Sequence, residues 1–227
     1  MSKSIIITGA TGNLGGAVTN KLLAEGYMLY TTLVPGEKAP DDPRIHGIHI
    51  DLLNEDECGR YVGEVVARGA DLRAGILLVG GFQMGGLADT GTDALDKMFK
   101  LNFYTAFSIA KALCGHFAKV GGGQIFLIGA RPALAPADGR NAVAYSLSKS
   151  LIFRLAEIIN ETGKESNVRA TVIVPSTIDT ALNRQSMPDV DFHRWVPADS
   201  IADTIAYLLT DSGSMLRESV IKVYNRA

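Results

Sequence analysis

Ser4-Ile5-Ile6-Ile7-Thr8-Gly9-Ala10-Thr11-Gly12-Asn13-Leu14-Gly15-Gly16 is the stretch that decides the fold. Three isoleucines in succession read as a strand covered on both faces, because a half-exposed strand alternates apolar and polar side chains. Leu14, Ala17, Val18 and Leu22 then fall at helical intervals. A strand, a glycine-rich turn and a helix in that order make a phosphate cradle. Gly9 lets the chain turn, Gly12 allows a pyrophosphate to approach, and Gly15 lets the helix pack on the strand. The unpaired N–H groups of the first helical turn and the helix dipole then hold the anion. Thr11, Asn13 and Leu14 belong to the same turn and are expected among the nucleotide contacts. The same string also suits a plain strand–helix turn, and its place after the first strand is what favours the phosphate.

Working outward, β-branched runs recur at Met28–Val34, Ile45–Ile50, Gly75–Val79, Gln124–Ile128, Val168–Val174 and Val220–Tyr224. Between most of them apolar residues return at helical spacing, as at Leu95, Met98, Phe99, Phe103, Phe107, Ala110 and Leu113. Leu147, Leu151, Leu155 and Ile158 form another such set. The alternation predicts an α/β fold of the Rossmann type: a doubly wound, seven-stranded, mostly parallel sheet with helices on both faces. No repeat, charge block or low-complexity linker divides residues 1–227, which read as one domain.

Composition excludes several classes. A chain of 227 residues that is 47% hydrophobic can bury a substantial core. Its formal charge of −2 offers no footprint for nucleic acid or an anionic membrane. No apolar run approaches the roughly 20 residues of a membrane span. Met-Ser-Lys-Ser-Ile-Ile-Ile lacks the pattern of a signal peptide, so a cytoplasmic location is expected. Cys58 and Cys114 form no Cys-x-x-Cys pair, and His46, His49, His116 and His193 show no metal spacing, so no metal is expected.

In such sheets, ligands lie beyond the carboxyl ends of the strands. Asp51, in His49-Ile50-Asp51-Leu52, is placed either to accept from an adenine amino group, with Leu52 beside it, or to cap the next helix. Gly80 and Gly81 in Val79-Gly80-Gly81-Phe82 leave room for a flat ligand, with Phe82 toward the substrate, or form a plain loop. The second run ends Thr31-Thr32-Leu33-Val34-Pro35-Gly36-Glu37-Lys38. Leu33 stands where an acidic residue would take the ribose hydroxyls of NADH, or a basic one the phosphate of NADPH. Glu37 and Lys38 come late and point opposite ways, which leaves the subtype open.

Tyr145-Ser146-Leu147-Ser148-Lys149 falls in the long helix after the fifth run. Residues four apart share a helix face, which brings Lys149 beside the Tyr145 phenol. A free phenol titrates near 10, and a nearby ammonium together with a cationic nicotinamide is expected to lower it. Tyr145 would then exchange the proton that accompanies hydride transfer.

Taken together, the turn at 9–15, Asp51, Gly80-Gly81, Asn102, Tyr145-x-x-x-Lys149 and Pro175-Ser176-Thr177-Ile178-Asp179-Thr180 resemble the short-chain dehydrogenase/reductase family over essentially the whole chain. The resemblance implies an NADH- or NADPH-dependent oxidoreductase with Tyr145, Lys149 and Asn102 as catalytic residues. It implies that Asn102 holds a water in a proton relay and that Lys149 grips the nicotinamide ribose. Pro175, Ile178 and Thr180 would lie against the nicotinamide carboxamide. Where the family carries a serine at the end of the fifth strand, this chain has Ala130, which lacks a donor. The dihydropteridine reductase branch shows the same departure. Val79–Phe82, Gly129–Leu134 and the loop string Asn183-Arg184-Gln185-Ser186-Met187-Pro188 look like that branch, although it carries Asp where Leu33 stands and lacks the Asn at 102.

The favoured reading is reduction of a quinonoid dihydropteridine-like planar substrate with Tyr145 as proton donor. The alternatives are a carbonyl or alcohol oxidoreductase without the usual serine, and a nucleotide-sensing protein without turnover. Phe82, Ala130, Arg131 and Trp195 are the expected substrate neighbours. Trp195 with Phe192 either stacks on the substrate or packs a small core of its own, and Arg131 meets a polar edge or stays a surface charge. Apolar residues on more than one face of the helices at 93–119 and 142–161 predict pairing into a homodimer or homotetramer.

Overall fold

The computed structural model describes residues 3–226. Its strands are β1 (Lys3–Thr8), β2 (Met28–Leu33), β3 (Ile45–His49), β4 (Asp71–Leu77), β5 (Gly123–Ile128), β6 (Val168–Pro175), β7 (Ile178–Asp179), β8 (Val196–Pro197) and β9 (Val220–Val223). Seven of them form one sheet in the order β3-β2-β1-β4-β5-β6-β9, and every neighbouring pair is parallel. The strand order turns back at β1, so the crevice between β1 and β4 is the switch point where a ligand has room. β7 and β8 make a separate parallel ribbon that the hydrophobic pattern did not announce, since two residues per strand leave no period to read.

The helices are α1 (Asn13–Ala24), α2 (Glu55–Ala67), α3 (Thr92–Phe99), α4 (Thr105–Val120), α5 (Pro136–Gly139), α6 (Val143–Thr162), α7 (Ala181–Ser186) and α8 (Ala198–Leu208). The isoleucine run of β1 shows why the sheet needs both layers. Ile5 and Ile7 join Val18 of α1 and Ile201 of α8 on one face, while Ile6 joins Tyr61 of α2, Ile109 of α4 and Ile152 of α6 on the other. Alternate residues point to opposite faces, and each fully buried isoleucine contributes about 1.5–3 kcal/mol.

Three shifts of the expected boundaries bear on the site. β4 starts at Asp71 and stops at Leu77, so Val79–Phe82 leaves the sheet, while the Leu78 N–H still donates to the Thr8 carbonyl at 3.2 Å. β3 stops at His49, which puts Asp51 beyond it rather than at its end. The Asn183–Met187 string, expected in a loop, lies largely in α7, whose N-cap Thr180 accepts the Asn183 N–H at 3.1 Å through its hydroxyl.

Close packing at the glycine-rich turn is strict. Gly9 adopts a φ of +71°, and a Cβ on Gly15 would collide with the Gly9 carbonyl oxygen and lie 2.8 Å from Ala10 backbone. A Cβ on Gly16 meets nothing within 4 Å. Gly15→Ala is therefore expected to lower the unfolding free energy by about 1–3 kcal/mol in urea titration. Gly16→Ala in the same helix should be neutral or gain up to about 1 kcal/mol. Equal stabilities for the two variants would contradict this packing.

Candidate functional site

The two helices that begin at the carboxyl edge near β1 and β3 differ in how they end. α2 is capped by Asn54, whose side chain accepts from the Asp56 and Glu57 N–H groups, and Glu55, Asp56 and Glu57 fill its first turn. α1 starts at Gly12 with no side-chain cap and no acidic residue in its first turn. Its first N–H groups have no intrahelical partner by construction, and they face the crevice at the switch point. Asn13, Leu14 and Gly15 thus offer backbone donors where an anion is best received, with Gly9 and Thr11 shaping the turn before them, while the Gly12 N–H already donates to the Gly9 carbonyl at 3.1 Å.

Around this cradle the expected nucleotide contacts divide. Asp51 accepts the Leu53 N–H at 2.9 Å and its own N–H donates to Glu57 Oε2 at 2.8 Å, so it secures the turn into α2 as an exposed carboxylate. Leu52 is buried in the core with Tyr61 and Cys58, leaving only its backbone for a ligand. Leu33 is also buried, against Gly47 and Ala39, so its side chain is core rather than a ribose contact.

On the other side of the crevice, a five-residue π-turn, Lys100–Tyr104, joins α3 to α4. The wider turn carries Asn102, which is 1% exposed. Its Oδ1 accepts the Gly81 N–H at 2.8 Å, and its Nδ2 donates to the Gly81 carbonyl at 3.1 Å and to Ser148 Oγ at 3.0 Å. Ser148 Oγ in turn donates to the Tyr145 carbonyl at 2.7 Å. Lys149 is buried with Nζ donating to the Ile128 carbonyl at 2.9 Å. A Cβ on Gly80 would lie 2.8 Å from Asn102 Oδ1 and 3.2 Å from Lys149 Nζ, so the glycine lets those two groups share one pocket wall. Asn102, Gly80, Gly81, Tyr145 and Lys149 are brought together.

Burial sets the electrostatics of the two titratable groups. Burial pushes the Tyr145 phenol up to about 12 and pulls the Lys149 ammonium down to about 8. The lowering expected from the ammonium together with a cationic nicotinamide belongs to the nucleotide-loaded site. The lysine's bond goes to the β5 carbonyl, and burial dominates both groups.

The substrate side is mixed. Phe82 is 60% exposed and packs edge-on to Tyr145, ring centroids 4.9 Å apart. Ala130 is buried directly after β5 and, being alanine, offers no side-chain donor. Arg131 is held by Asp138 at 2.8 Å and lies over the Tyr224 ring, so it is neither a loose surface charge nor a free substrate contact. Trp195 is 4% exposed with its ring 4.8 Å from Phe192, so it packs a small core and has little face for a ligand. Pro175 ends β6, Ile178 lies in β7 and Thr180 caps α7, which keeps that segment at the carboxyl edge.

Two residues were missed in the reading of the sequence. Ser148 links Asn102 to the Tyr145 backbone, and its only mark in the chain is its place beside Lys149. Gln83, next to Phe82, keeps its side-chain oxygen buried without a hydrogen-bond partner. No group of His, Cys, Asp or Glu among the described residues is arranged to hold a metal ion.

Comparison with known proteins follows the same lines. The family model described as short chain dehydrogenase matches residues 3–191. A dihydropteridine reductase of Dictyostelium discoideum is 26% identical over 217 residues, covering 94% of this chain and 90% of that protein. A 7alpha-hydroxysteroid dehydrogenase of Clostridium sardiniense is 26% identical over 243 residues, covering 97% and 91%. Among solved structures, a gluconate 5-dehydrogenase from Burkholderia cenocepacia in complex with NADP and tartrate superposes with a TM-score of 0.88 at 17% identity, over 99% of this chain and 95% of that one.

The raised phenol of Tyr145 and the lowered ammonium of Lys149 are directly measurable. Absorbance at 295 nm, wild type minus Tyr145→Phe without nucleotide, should show no phenolate step from pH 7 to about 10. A step at or below pH 9 would restore the lowered phenol. Lys149 has a folded value of about 8 against 10.5, so the unfolded chain binds the extra proton between them. Stability relative to Lys149→Met should therefore rise with pH across that window.

Proposed function

The chain belongs to the short-chain dehydrogenase family, and from that premise we propose that this oxidoreductase is an NADH- or NADPH-dependent reductase of a planar, dihydropteridine-like substrate. The observation that carries the reading is the buried Lys149, anchored on the Ile128 carbonyl one helical turn from Tyr145, across the crevice from the uncapped start of α1. The residues fit a dinucleotide. α1 offers donors without a competing cap, and Gly80 and Gly81 keep the crevice floor free of side chains. When bound, the nicotinamide supplies the hydride.

The side chains of the site supply the rest. Tyr145 is the proton donor, and its raised value keeps it in the protonated form that a reduction consumes. Lys149 remains largely charged at neutral pH and stabilises the phenolate left behind. One of its three N–H donors is used by Ile128, which leaves two for ribose hydroxyls. Asn102 holds the Gly80-Gly81 floor and, through Ser148, the Tyr145 turn of α6. Phe82 forms an apolar wall for a flat ring.

The missing hydroxyl at Ala130 narrows the substrate class. A ketone needs its oxygen polarised, and an oxyanion donor is worth about two to three orders of magnitude. A conjugated imine-like system is activated by its own electronics and does not need that donor. The dihydropteridine reductase likeness and the Asn183–Met187 string support the same class. The hydroxysteroid dehydrogenase likeness favours a second reading, a carbonyl or alcohol substrate.

We further propose that the chain works as a homodimer or homotetramer through the helices at 93–119 and 142–161. Tyr104, Leu147, Leu151 and Ile158 are exposed on this layer, Leu147 at 48% and Ile158 at 53%. Their apolar area is what a second copy would cover.

Oxidation of the reduced nucleotide by quinonoid dihydropterin, set against a panel of ketones, separates the two substrate readings. Tyr145→Phe should lose about 10²–10⁴-fold in kcat while nucleotide Kd stays almost unchanged. Full activity in that variant would remove Tyr145 from its role. Light scattering should give a multiple of the 24.2 kDa chain mass, reduced by Leu151→Asp; a monomeric wild type would defeat the pairing.

A further inference from the structure

Leu33 leaves the end of β2 without a charged side chain, but the chain turns back at once. Val34-Pro35-Gly36-Glu37 forms a tight turn closed by the Glu37 N–H donating to the Val34 carbonyl at 3.0 Å. Pro35 suits its second position, and Gly36, at φ +89°, its third. The turn returns Glu37 to the strand end from which it started. There its carboxylate bridges two elements. Oε1 accepts from the Thr11 hydroxyl of the glycine-rich turn at 2.9 Å, and Oε2 accepts the Val34 N–H at 3.1 Å.

This position is the rim between β2 and the uncapped start of α1. A dinucleotide whose pyrophosphate rests on α1 must lay the ribose of its adenosine half across that rim. We propose that Glu37 is the residue that selects NADH over NADPH in this chain, an inference that rests on the nucleotide-dependent reading above. The charge comes from the turn instead of from the strand. An ionised carboxylate has about four acceptor sites. Thr11 and Val34 occupy two, and the others can accept from ribose hydroxyls. A 2′-phosphate in the same place meets a fixed negative charge. No cation is fixed there to receive it among the described residues. The His49 ring sits with Nδ1 3.1 Å from the Val34 carbonyl, and Lys38 is exposed and makes no ion pair among the described residues.

Direct binding, read by nucleotide fluorescence or calorimetry without substrate, tests the assignment. Wild type should bind NADH about tenfold or more tighter than NADPH. Glu37→Gln keeps the shape and an accepting oxygen but removes the charge, and it should narrow the gap mainly by strengthening NADPH. If Glu37 is only a clasp, both nucleotides weaken together in Glu37→Gln and the selector role is lost. Equal or tighter NADPH binding by wild type overturns the selector while leaving the nucleotide reading intact; binding of neither nucleotide overturns that reading itself. A second measurement needs no variant. Repulsion between the 2′-phosphate and Glu37 is screened by salt, so the NADH preference of wild type should shrink between low and high ionic strength. A preference that salt leaves unchanged also refutes the proposal.

Discussion

The carboxamide of Asn102 is the contact on which the assembly of the site depends. A regular α-helix through residues 100–104 would present its side chains at a different angle, whereas the π-turn swings Asn102 into the interior. There it makes both hydrogen bonds to the backbone of Gly81 and a third to Ser148. Three elements that the sheet alone leaves independent, the loop after β4, the α3–α4 rod and α6, are joined by one side chain. Its loss would leave the Gly81 N–H and carbonyl without their partner in a part-buried place, at up to about 1–3 kcal/mol each. The same loop carries Phe82 against Tyr145, so the geometry of the phenol is tied to Asn102 at second hand.

A second constraint is electrostatic and lies at the opposite end of the crevice. α2 satisfies its own N-terminus with Asn54 and three acidic residues, while α1 leaves its first turn open. The acidic group near α1, Glu37, binds Thr11 and Val34 at the rim and does not cap the helix. Positive potential is thus kept at the floor and negative charge at the edge. A dinucleotide carries its charges in the complementary order, diphosphate in the middle and neutral hydroxyls beside it.

Much of this architecture was legible because burial leaves a periodic trace. Continuous apolar runs gave the sheet strands within a few residues, and two glycines of the first turn are required, Gly9 by its φ of +71° and Gly15 by its close approach to Ala10. Tyr145, Lys149 and Asn102 converge as their motif implied. What was not legible is set by tertiary geometry. Glu37 looked too late in the chain because sequence distance ignores a turn that doubles back, and helical spacing, which puts Lys149 on the face of Tyr145, says nothing of its bond to the Ile128 carbonyl. Trp195 could face either way until β8 and the Phe192 turn fixed it. The sign of the Tyr145 shift was also out of reach, since desolvation depends on everything that surrounds the ring.

That sign bears on the chemistry. Burial raises the phenol, so Tyr145 stands protonated and ready to give its proton as the hydride arrives. A ketone whose oxyanion is already stabilised by a hydroxyl becomes less basic, and its proton transfer is correspondingly less favourable. With Ala130 in place of that hydroxyl, the developing anion keeps its full basicity. On the proposed reaction, hydride addition to a conjugated C=N leaves a charge that the ring itself delocalises, and Tyr145 then supplies the proton. The protonated Tyr145 and the absent donor at 130 then suit one class of substrate: a ring that carries the developing charge itself and asks the site only for a proton.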